Sequence, residues 1–98
     1  MKLIEHFIEG KNYSGNSKRK SKVFNPATGE QSGEVKLATK EDVNKAVENA
    51  KNSFEKWSNT PPLQRARIMF KFKELIEKNS DELTKIIVSE HGKVYEDA

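Results

Sequence analysis

The stretch FNPATGE, Phe24–Glu30, decides how the first part of this chain folds. Pro26 has a restricted φ and favours extended backbone at the residue before it. Gly29 can adopt the positive φ that a tight reversal of the chain requires. The residues after the turn alternate between apolar and polar with a period of two, as one face of a strand does. The stretch therefore predicts a β-hairpin that pairs Lys22–Asn25 with Gly33–Leu37.

Upstream of the hairpin, the sequence predicts one short strand and one loop. The strand is His6–Glu9, and it ends in a turn at Gly10. The polar segment Lys11–Lys22 is expected to form an exposed loop, because it contains the run Ser-Gly-Asn-Ser. An isolated two-stranded hairpin is marginal in water, so we expect the hairpin to lie against another part of the fold.

The first helix begins after Thr39, a residue that readily caps a helix N-terminus. Glu41 and Asp42 then place negative charge in the first turn, where the helix dipole favours it. The spacing predicts ion pairs of Glu41 with Lys45 and of Lys51 with Glu55, and an end at Ser58-Asn59. A single apolar stripe about 100° wide runs along this helix. It consists of Val43, Ala46, Val47, Ala50, Phe54 and Trp57.

The second helix is predicted to begin with Thr60 as its cap and Pro61 at its first helical position. Its apolar residues cover an arc of roughly 240°, whereas an ordinary surface helix needs about 100°. They are Leu63, Ala66, Ile68, Met69, Phe70, Phe72, Leu75 and Ile76. Such an arc predicts a helix covered on two sides. Arg65 and Lys73 also fall within it, so they either extend to its edges or meet partners elsewhere.

The third helix is predicted to begin at Ser80-Asp81-Glu82 and to end at Gly92 with a left-handed C-cap. Its apolar stripe is Leu83, Ile86 and Ile87. The segment Val94–Ala98 resembles the beginning of another element, and its abrupt end suggests truncation. The predicted fold class is therefore α+β, with an N-terminal strand and hairpin in residues 1–38 and three helices in residues 39–98.

Composition favours a piece of something larger, or an obligate partner-binder, over a self-sufficient enzyme. Only 34% of the 98 residues are hydrophobic, and there is no cysteine to form a disulfide. No apolar run is long enough to cross a membrane. The start of the chain resembles neither a signal peptide nor a transit peptide, so a cytoplasmic location is the default. The 18 basic and 15 acidic residues are too nearly balanced for a nucleic-acid footprint.

No motif supplies a chemical site, so we predict no catalytic, cofactor-binding or metal-binding residue. The glycines form no phosphate-binding turn, and His6 and His91 lack the spacing of metal ligands. The basic run Lys18–Lys22 is interpreted as a solvated loop, with nucleic acid or a protein partner as alternatives, because no aromatic residue interleaves with it. Glu90 lies in the apolar stripe of the third helix. It must therefore be paired, most simply in a helix-end salt bridge, or sit beside water.

Several of these stretches resemble the aldehyde dehydrogenase superfamily, in collinear order over nearly the whole chain. The hairpin Phe24–Glu30 is similar to the N-P-A-T-G-E hairpin near the start of those enzymes, and Ala46–Trp57 is similar to their first helix. Other stretches resemble the methylmalonate-semialdehyde dehydrogenase branch. They are His6–Lys11, Thr60–Arg67, Met69–Leu75 and Glu90–Lys93.

The resemblance implies an N-terminal part of an NAD-dependent oxidoreductase with an α/β fold, in the region that packs on the NAD-binding domain. In this branch malonate or methylmalonate semialdehyde is oxidised and decarboxylated, and the acyl group passes from a cysteine thioester to coenzyme A. The family's cysteine, general-base glutamate and cofactor turn lie beyond Ala98. The chain alone is therefore predicted to be inactive, with the remainder of the fold as its partner and a homo-oligomer as the full-length state. The alternative is a small helical module that binds protein or RNA.

Overall fold

The computed structural model describes all 98 residues, which form five strands, three helices and a final 3₁₀ turn. The strands are β1 (Lys2–Ile4), β2 (His6–Ile8), β3 (Lys11–Tyr13), β4 (Lys20–Phe24) and β5 (Gln31–Lys36). The helices are α1 (Lys40–Ser58), α2 (Pro62–Lys78) and α3 (Ser80–His91), and the 3₁₀ turn is Tyr95–Asp97. The predicted order of strands followed by three helices is confirmed.

The predicted hairpin is present as the antiparallel pair β4–β5, with Val23 opposite Gly33. In its turn the N–H of Gly29 donates to the carbonyl of Asn25 at 2.8 Å, and the N–H of Asn25 donates to the carbonyl of Glu30 at 2.9 Å. Strand β1 adds to the other edge of β5 in parallel, so the sheet order is β1-β5-β4. A Cβ at Gly33 would lie 2.7 Å from the carbonyl oxygen of Lys2, so only glycine permits this approach.

A second hairpin replaces much of the predicted loop. Strands β2 and β3 pair antiparallel, with His6 opposite Tyr13, around a two-residue turn at Glu9-Gly10. Both turn residues have positive φ, 61° and 76°, as the tightest hairpin turns require. The prediction that Lys11–Lys22 is an exposed loop is therefore wrong at both ends. The three residues of β3 carry too few apolar side chains to show a strand pattern, and pairing with β2 decides their conformation.

Helix α1 begins where the sequence predicts, behind the N-cap Thr39. The two predicted ion pairs along it are absent. The ion pairs that do form are Lys20–Glu34, Lys71–Glu74 and Lys73–Glu77. Solvent-exposed pairs of this kind contribute little stability, which explains why spacing alone predicts them poorly. None of the three helices combines the length and the apolar character needed to cross a membrane.

The predicted start of α2 is wrong by one residue. Pro61 is the N-cap and Pro62 holds the first helical position. Thr60 belongs instead to the end of α1, because its hydroxyl donates to the carbonyl of Lys56 at 2.8 Å. Helix α3 is likewise preceded by Asn79 as N-cap, with Ser80 already helical.

The end of α3 and the start of a further element agree with the sequence-based expectations. Gly92 closes α3 in the predicted left-handed conformation, with φ at 80°. The next element is the 3₁₀ turn Tyr95–Asp97, whose Tyr95 hydroxyl donates to the carboxylate of Asp81 at the start of α3. That hydrogen bond raises the pKa of Tyr95 above its ordinary value.

The chain has no hydrophobic core of its own. No hydrophobic side chain is buried, and the only buried residues are Gly33 and Asp42. The accessible surface is 8093 Å², whereas a compact monomer of 11.2 kDa would expose about 5,700 Å². The radius of gyration is 17.1 Å, against about 13 Å for a compact domain of this length. Hydrogen bonds within local elements, rather than burial, therefore shape the chain.

We expect the isolated chain to show helix without fixed tertiary packing, or to self-associate, because its apolar stripes stay exposed. Sedimentation and proton NMR dispersion on the pure 98-residue chain would measure this. A well-dispersed monomer that melts cooperatively would contradict it, since such a chain must close its own core.

Candidate functional site

The most enclosed side chain of the molecule is the carboxylate of Asp42, which is only 1% exposed. One of its oxygens accepts the backbone N–H of Thr39 at 2.8 Å, while the backbone N–H of Asp42 donates to the Thr39 hydroxyl at 3.1 Å. This reciprocal pair is a capping box that closes the N-terminus of α1.

The same carboxylate also holds the N-terminal strands. Its other oxygen accepts the hydroxyl of Tyr13 at 3.0 Å and the backbone N–H of Asn16 at 3.2 Å. The donors come from positions 26 and 29 residues earlier in the chain. One side chain thus joins β3 and its following loop to the start of α1.

The hydrogen bonds favour the ionised form of the carboxylate. The backbone N–H of Thr39 makes the largest contribution, and the pKa of Asp42 falls to about 2 although burial opposes the shift. The hydrogen bond to Asp42 raises the pKa of the Tyr13 hydroxyl, and burial and the aspartate charge act in the same direction.

The surroundings of Asp42 are closely packed. Gly15 has φ at 73°, and a Cβ there would lie 2.9 Å from Asp42 Oδ2 and 3.2 Å from His6 Nε2. His6 Nε2 itself is enclosed and has no hydrogen-bond partner. The ammonium of Lys45 lies 4.2 Å from the centre of the Tyr13 ring, instead of pairing with Glu41 as predicted.

The sequence interpretation gave Asp42 a place in the first turn but missed its role as a junction. The spacing Thr39-x-x-Asp42 resembles the S/T-x-x-E capping box and could have indicated the local part. Nothing in the sequence indicates the bonds to Tyr13 and Asn16, because they depend on how the chain reverses between residues 16 and 39.

Glu90 and His91 are exposed at the end of α3. Glu90 makes no ion pair, so the predicted helix-end salt bridge is absent and the carboxylate sits beside water. His91 occupies the last turn, where the helix dipole favours a basic residue. The structure brings no group of three or more His, Asp or Glu side chains together in a way that could hold a metal ion.

Two of the four cations in the basic run Lys18–Lys22 have partners within the chain. The guanidinium of Arg19 donates to the carbonyl of Ala38 at 3.1 Å, and Lys20 pairs with Glu34 at 3.4 Å. Lys20–Lys22 is part of β4 and not of a loop, which corrects that part of the interpretation. Every residue of the run is exposed, and the side chains of Lys18 and Lys22 make no hydrogen bond or ion pair within the chain.

The helix N-termini are poorly suited to a phosphate group, which needs free backbone N–H groups. The capping box already occupies the N-terminus of α1. The N-terminus of α2 has Pro61 and Pro62, which carry no N–H, and that of α3 has Asp81 and Glu82, whose charges repel an anion. The residues present therefore do not fit a dinucleotide pyrophosphate.

The concave surfaces of the chain are three grooves beside the helices. One of about 600 Å³ runs between α1 and α2 past Trp57 and Ile68, and its other lining residues, such as Lys56 and Gln64, are polar. A second, of about 350 Å³, lies between α2 and α3 and is lined mainly by Phe72, Leu75, Ile76, Leu83 and Ile86. A third, of about 300 Å³, separates β2 from α1. Grooves of this character suit protein side chains better than a charged ligand.

We expect acid to detach the β2–β3 hairpin from α1. The pKa of Asp42 in the folded chain lies below that of a free aspartate, so the ionised carboxylate stabilises the junction above about pH 4. This stabilisation is lost as the pH falls toward about 2. An NMR titration that follows the Tyr13 ring and the Asn16 amide would record it.

Asp42→Asn should remove this pH dependence and leave both signals shifted toward the detached state at every pH. Glu48→Gln is the matched control, because Glu48 is an exposed carboxylate on the same helix without a hydrogen bond. An Asp42→Asn chain that titrates like the wild type would contradict the junction.

Thr39→Ala should weaken the start of α1 by about 1 kcal/mol, measured as amide exchange in its first turn.

The comparisons with known proteins agree with this geometry. The family model described as "Aldehyde dehydrogenase family" matches residues 13–98. The malonate-semialdehyde dehydrogenase of Pseudomonas aeruginosa is 42% identical over 98 residues, which are all of this chain and 20% of that protein.

Two solved structures contain the same arrangement of strands and helices. A protein from Sinorhizobium meliloti 1021, assigned as a methylmalonate-semialdehyde dehydrogenase and complexed with NAD, matches 99% of this chain at 46% identity with a TM-score of 0.95. The methylmalonate-semialdehyde dehydrogenase of Oceanimonas doudoroffii matches 99% at 45% identity with a TM-score of 0.94.

The chain spans about one fifth of the length of these relatives. Its strands and helices match the N-terminal part of their fold. A family model that covers residues 13–98 and a backbone that superposes so closely lead to one conclusion: this chain belongs to the aldehyde dehydrogenase family.

Proposed function

We propose that the chain is the N-terminal segment of an NAD-dependent, coenzyme A-acylating malonate- or methylmalonate-semialdehyde dehydrogenase. The observation that carries this proposal is the match of the entire chain, without rearrangement, to semialdehyde dehydrogenases at 42–46% identity. The whole enzyme would oxidise and decarboxylate the semialdehyde and transfer the acyl group to coenzyme A. Residues 1–98 would be one incomplete part of its dehydrogenase domain.

The chain would contribute no catalytic, cofactor-binding or metal-binding residue to this reaction. It contains no cysteine to carry a thioester, and its helix N-termini do not fit a pyrophosphate. NAD, which is bound in the Sinorhizobium meliloti relative, would contact the rest of the enzyme and accept the hydride there. The role of residues 1–98 is to complete the fold around that site.

The remaining parts of the proposal concern the whole protein. Its partners would be the rest of the dehydrogenase fold and further copies of itself, with neither a membrane nor nucleic acid among them. Its location would be cytoplasmic. The closely balanced charge and the internal partners of Arg19 and Lys20 support the exclusion of nucleic acid.

A chimera tests the proposal directly. The matched N-terminal fifth of the Pseudomonas aeruginosa relative is replaced by this chain, and NADH formation is measured with malonate semialdehyde and coenzyme A. We expect turnover, because residues 1–98 supply the same backbone. The relative without its N-terminal fifth is the control. A soluble, folded chimera that forms no NADH would overturn the proposal, and the isolated chain should stay at the no-enzyme rate.

RNA binding separates this proposal from an RNA-interaction module. We expect weak binding without sequence preference at physiological salt, because Lys18 and Lys22 are the only cations of the basic run whose side chains make no hydrogen bond or ion pair within the chain. Titration with labelled RNAs of several sequences would measure it. Tight, sequence-dependent binding would favour the interaction module.

A further inference from the structure

Helix α2 carries apolar side chains on two sides, and neither side is covered. Its seven large apolar residues are between 43% and 65% exposed. Ile68, Phe72, Leu75 and Ile76 line the grooves shared with α1 and α3. At about 100° per residue, Leu63 and Phe70 lie on the opposite side of the helix, and Met69 lies at the edge of the first side beside Ile76. We call these residues together the α2 surface.

The area that the whole chain leaves uncovered is comparable to one side of a permanent interface. The chain exposes roughly 2,400 Å² more than a compact monomer of its mass. Permanent complexes bury about 2,000–5,000 Å² in total, or about 1,000–2,500 Å² on each partner. One large partner would therefore account for the whole excess.

Arg65 adds an unsatisfied polar group to the α2 surface. It lies within the apolar arc of α2, and its Nε is enclosed without a hydrogen-bond partner. A shielded donor of this kind is unfavourable unless an acceptor meets it. The rest of the chain supplies none, so the acceptor would be a carboxylate or a backbone carbonyl of the partner.

Helices α1 and α3 and the β4–β5 hairpin already have backbone ends that are capped or paired by hydrogen bonds within the chain. The capping box orders the start of α1, Gly92 closes α3, and the β4–β5 hairpin is paired along its length. On association only the side chains and the relative positions of these elements would consequently become ordered. Because little conformational entropy is then lost, this favours binding. The relatives show that the same backbone exists inside chains five times longer.

We propose that the α2 surface assembles, without a peptide link, with the remaining four fifths of a dehydrogenase of this family supplied as a separate chain. The inference rests on the proposed function and names its partner. A covalent link raises the local concentration of the two pieces but adds no contact between them. The apolar surface and Arg65 would therefore hold the two chains together in trans.

The test co-expresses the 98-residue chain with a tagged Pseudomonas aeruginosa relative that lacks the matched N-terminal fifth. We expect a one-to-one complex on affinity purification and sedimentation, and sharper near-ultraviolet circular dichroism than the chain shows alone. A soluble remainder that purifies without the chain would overturn the proposal. So would a chain that only forms dimers with itself, or a remainder that stays insoluble with the chain present while the intact relative is soluble.

Matched variants locate the interface by competition against a fluorescently labelled chain in the complex. Phe70→Gln should weaken binding by about 10- to 100-fold, which corresponds to the burial of one phenylalanine. Its neighbour Lys71→Gln should bind within about twofold of the wild type, because Lys71 makes only an exposed ion pair. Arg65→Lys keeps the charge but lacks the Nε donor and should weaken binding by about tenfold. Equal binding by all three variants would contradict this surface.

The covalent chimera distinguishes the two proposals. An active chimera together with no complex in trans would refute the assembly and leave the proposed function standing. A complex in trans together with an inactive, folded chimera would refute the function and leave the interface standing.

Discussion

The carboxylate of Asp42 is the interaction on which the N-terminal arrangement depends. Its two oxygens receive the backbone N–H groups of Thr39 and Asn16 and the hydroxyl of Tyr13. Without this side chain, nothing buried would connect the β2–β3 hairpin to α1, because no hydrophobic residue is enclosed anywhere in the chain. A single ionised carboxylate can be buried at this junction because several hydrogen-bond donors compensate for its removal from water.

The rest of the molecule follows from the opposite condition, a shortage of burial. The hairpin turn at Asn25–Glu30, the sheet β1-β5-β4 and the three helices are held by local hydrogen bonds. Their apolar stripes point outward and stay exposed, and the surface exceeds that of a compact monomer by roughly 2,400 Å². Such a molecule has defined secondary structure but no hydrophobic core. This is the form expected of a part whose core is completed by other parts of the same fold.

The charged residues that the sequence singles out have structural or solvent-exposed roles. Glu90 lies beside water, and Arg19 and Lys20 have partners within the chain. Asp42, whose pKa is lowered to about 2, uses both carboxylate oxygens to hold β3 and its following loop to the start of α1. In this chain a depressed pKa therefore marks a structural junction, which is a common alternative to a functional site.

Several features could be predicted from the sequence because they depend only on neighbours along the chain. They include the β4–β5 hairpin, the Thr39 cap, the left-handed Gly92 and the wide apolar arc of α2. The tertiary structure alone decided the strand β3, the parallel addition of β1 to β5 and the bonds from Tyr13 and Asn16 to Asp42. The addition of β1 to β5 and the bonds to Asp42 join residues 26 to 31 positions apart, and no local periodicity records which distant segments will meet. The physical reason is that a strand of three residues gains its hydrogen bonds only from its partner, whereas a helix or a tight turn makes them with itself.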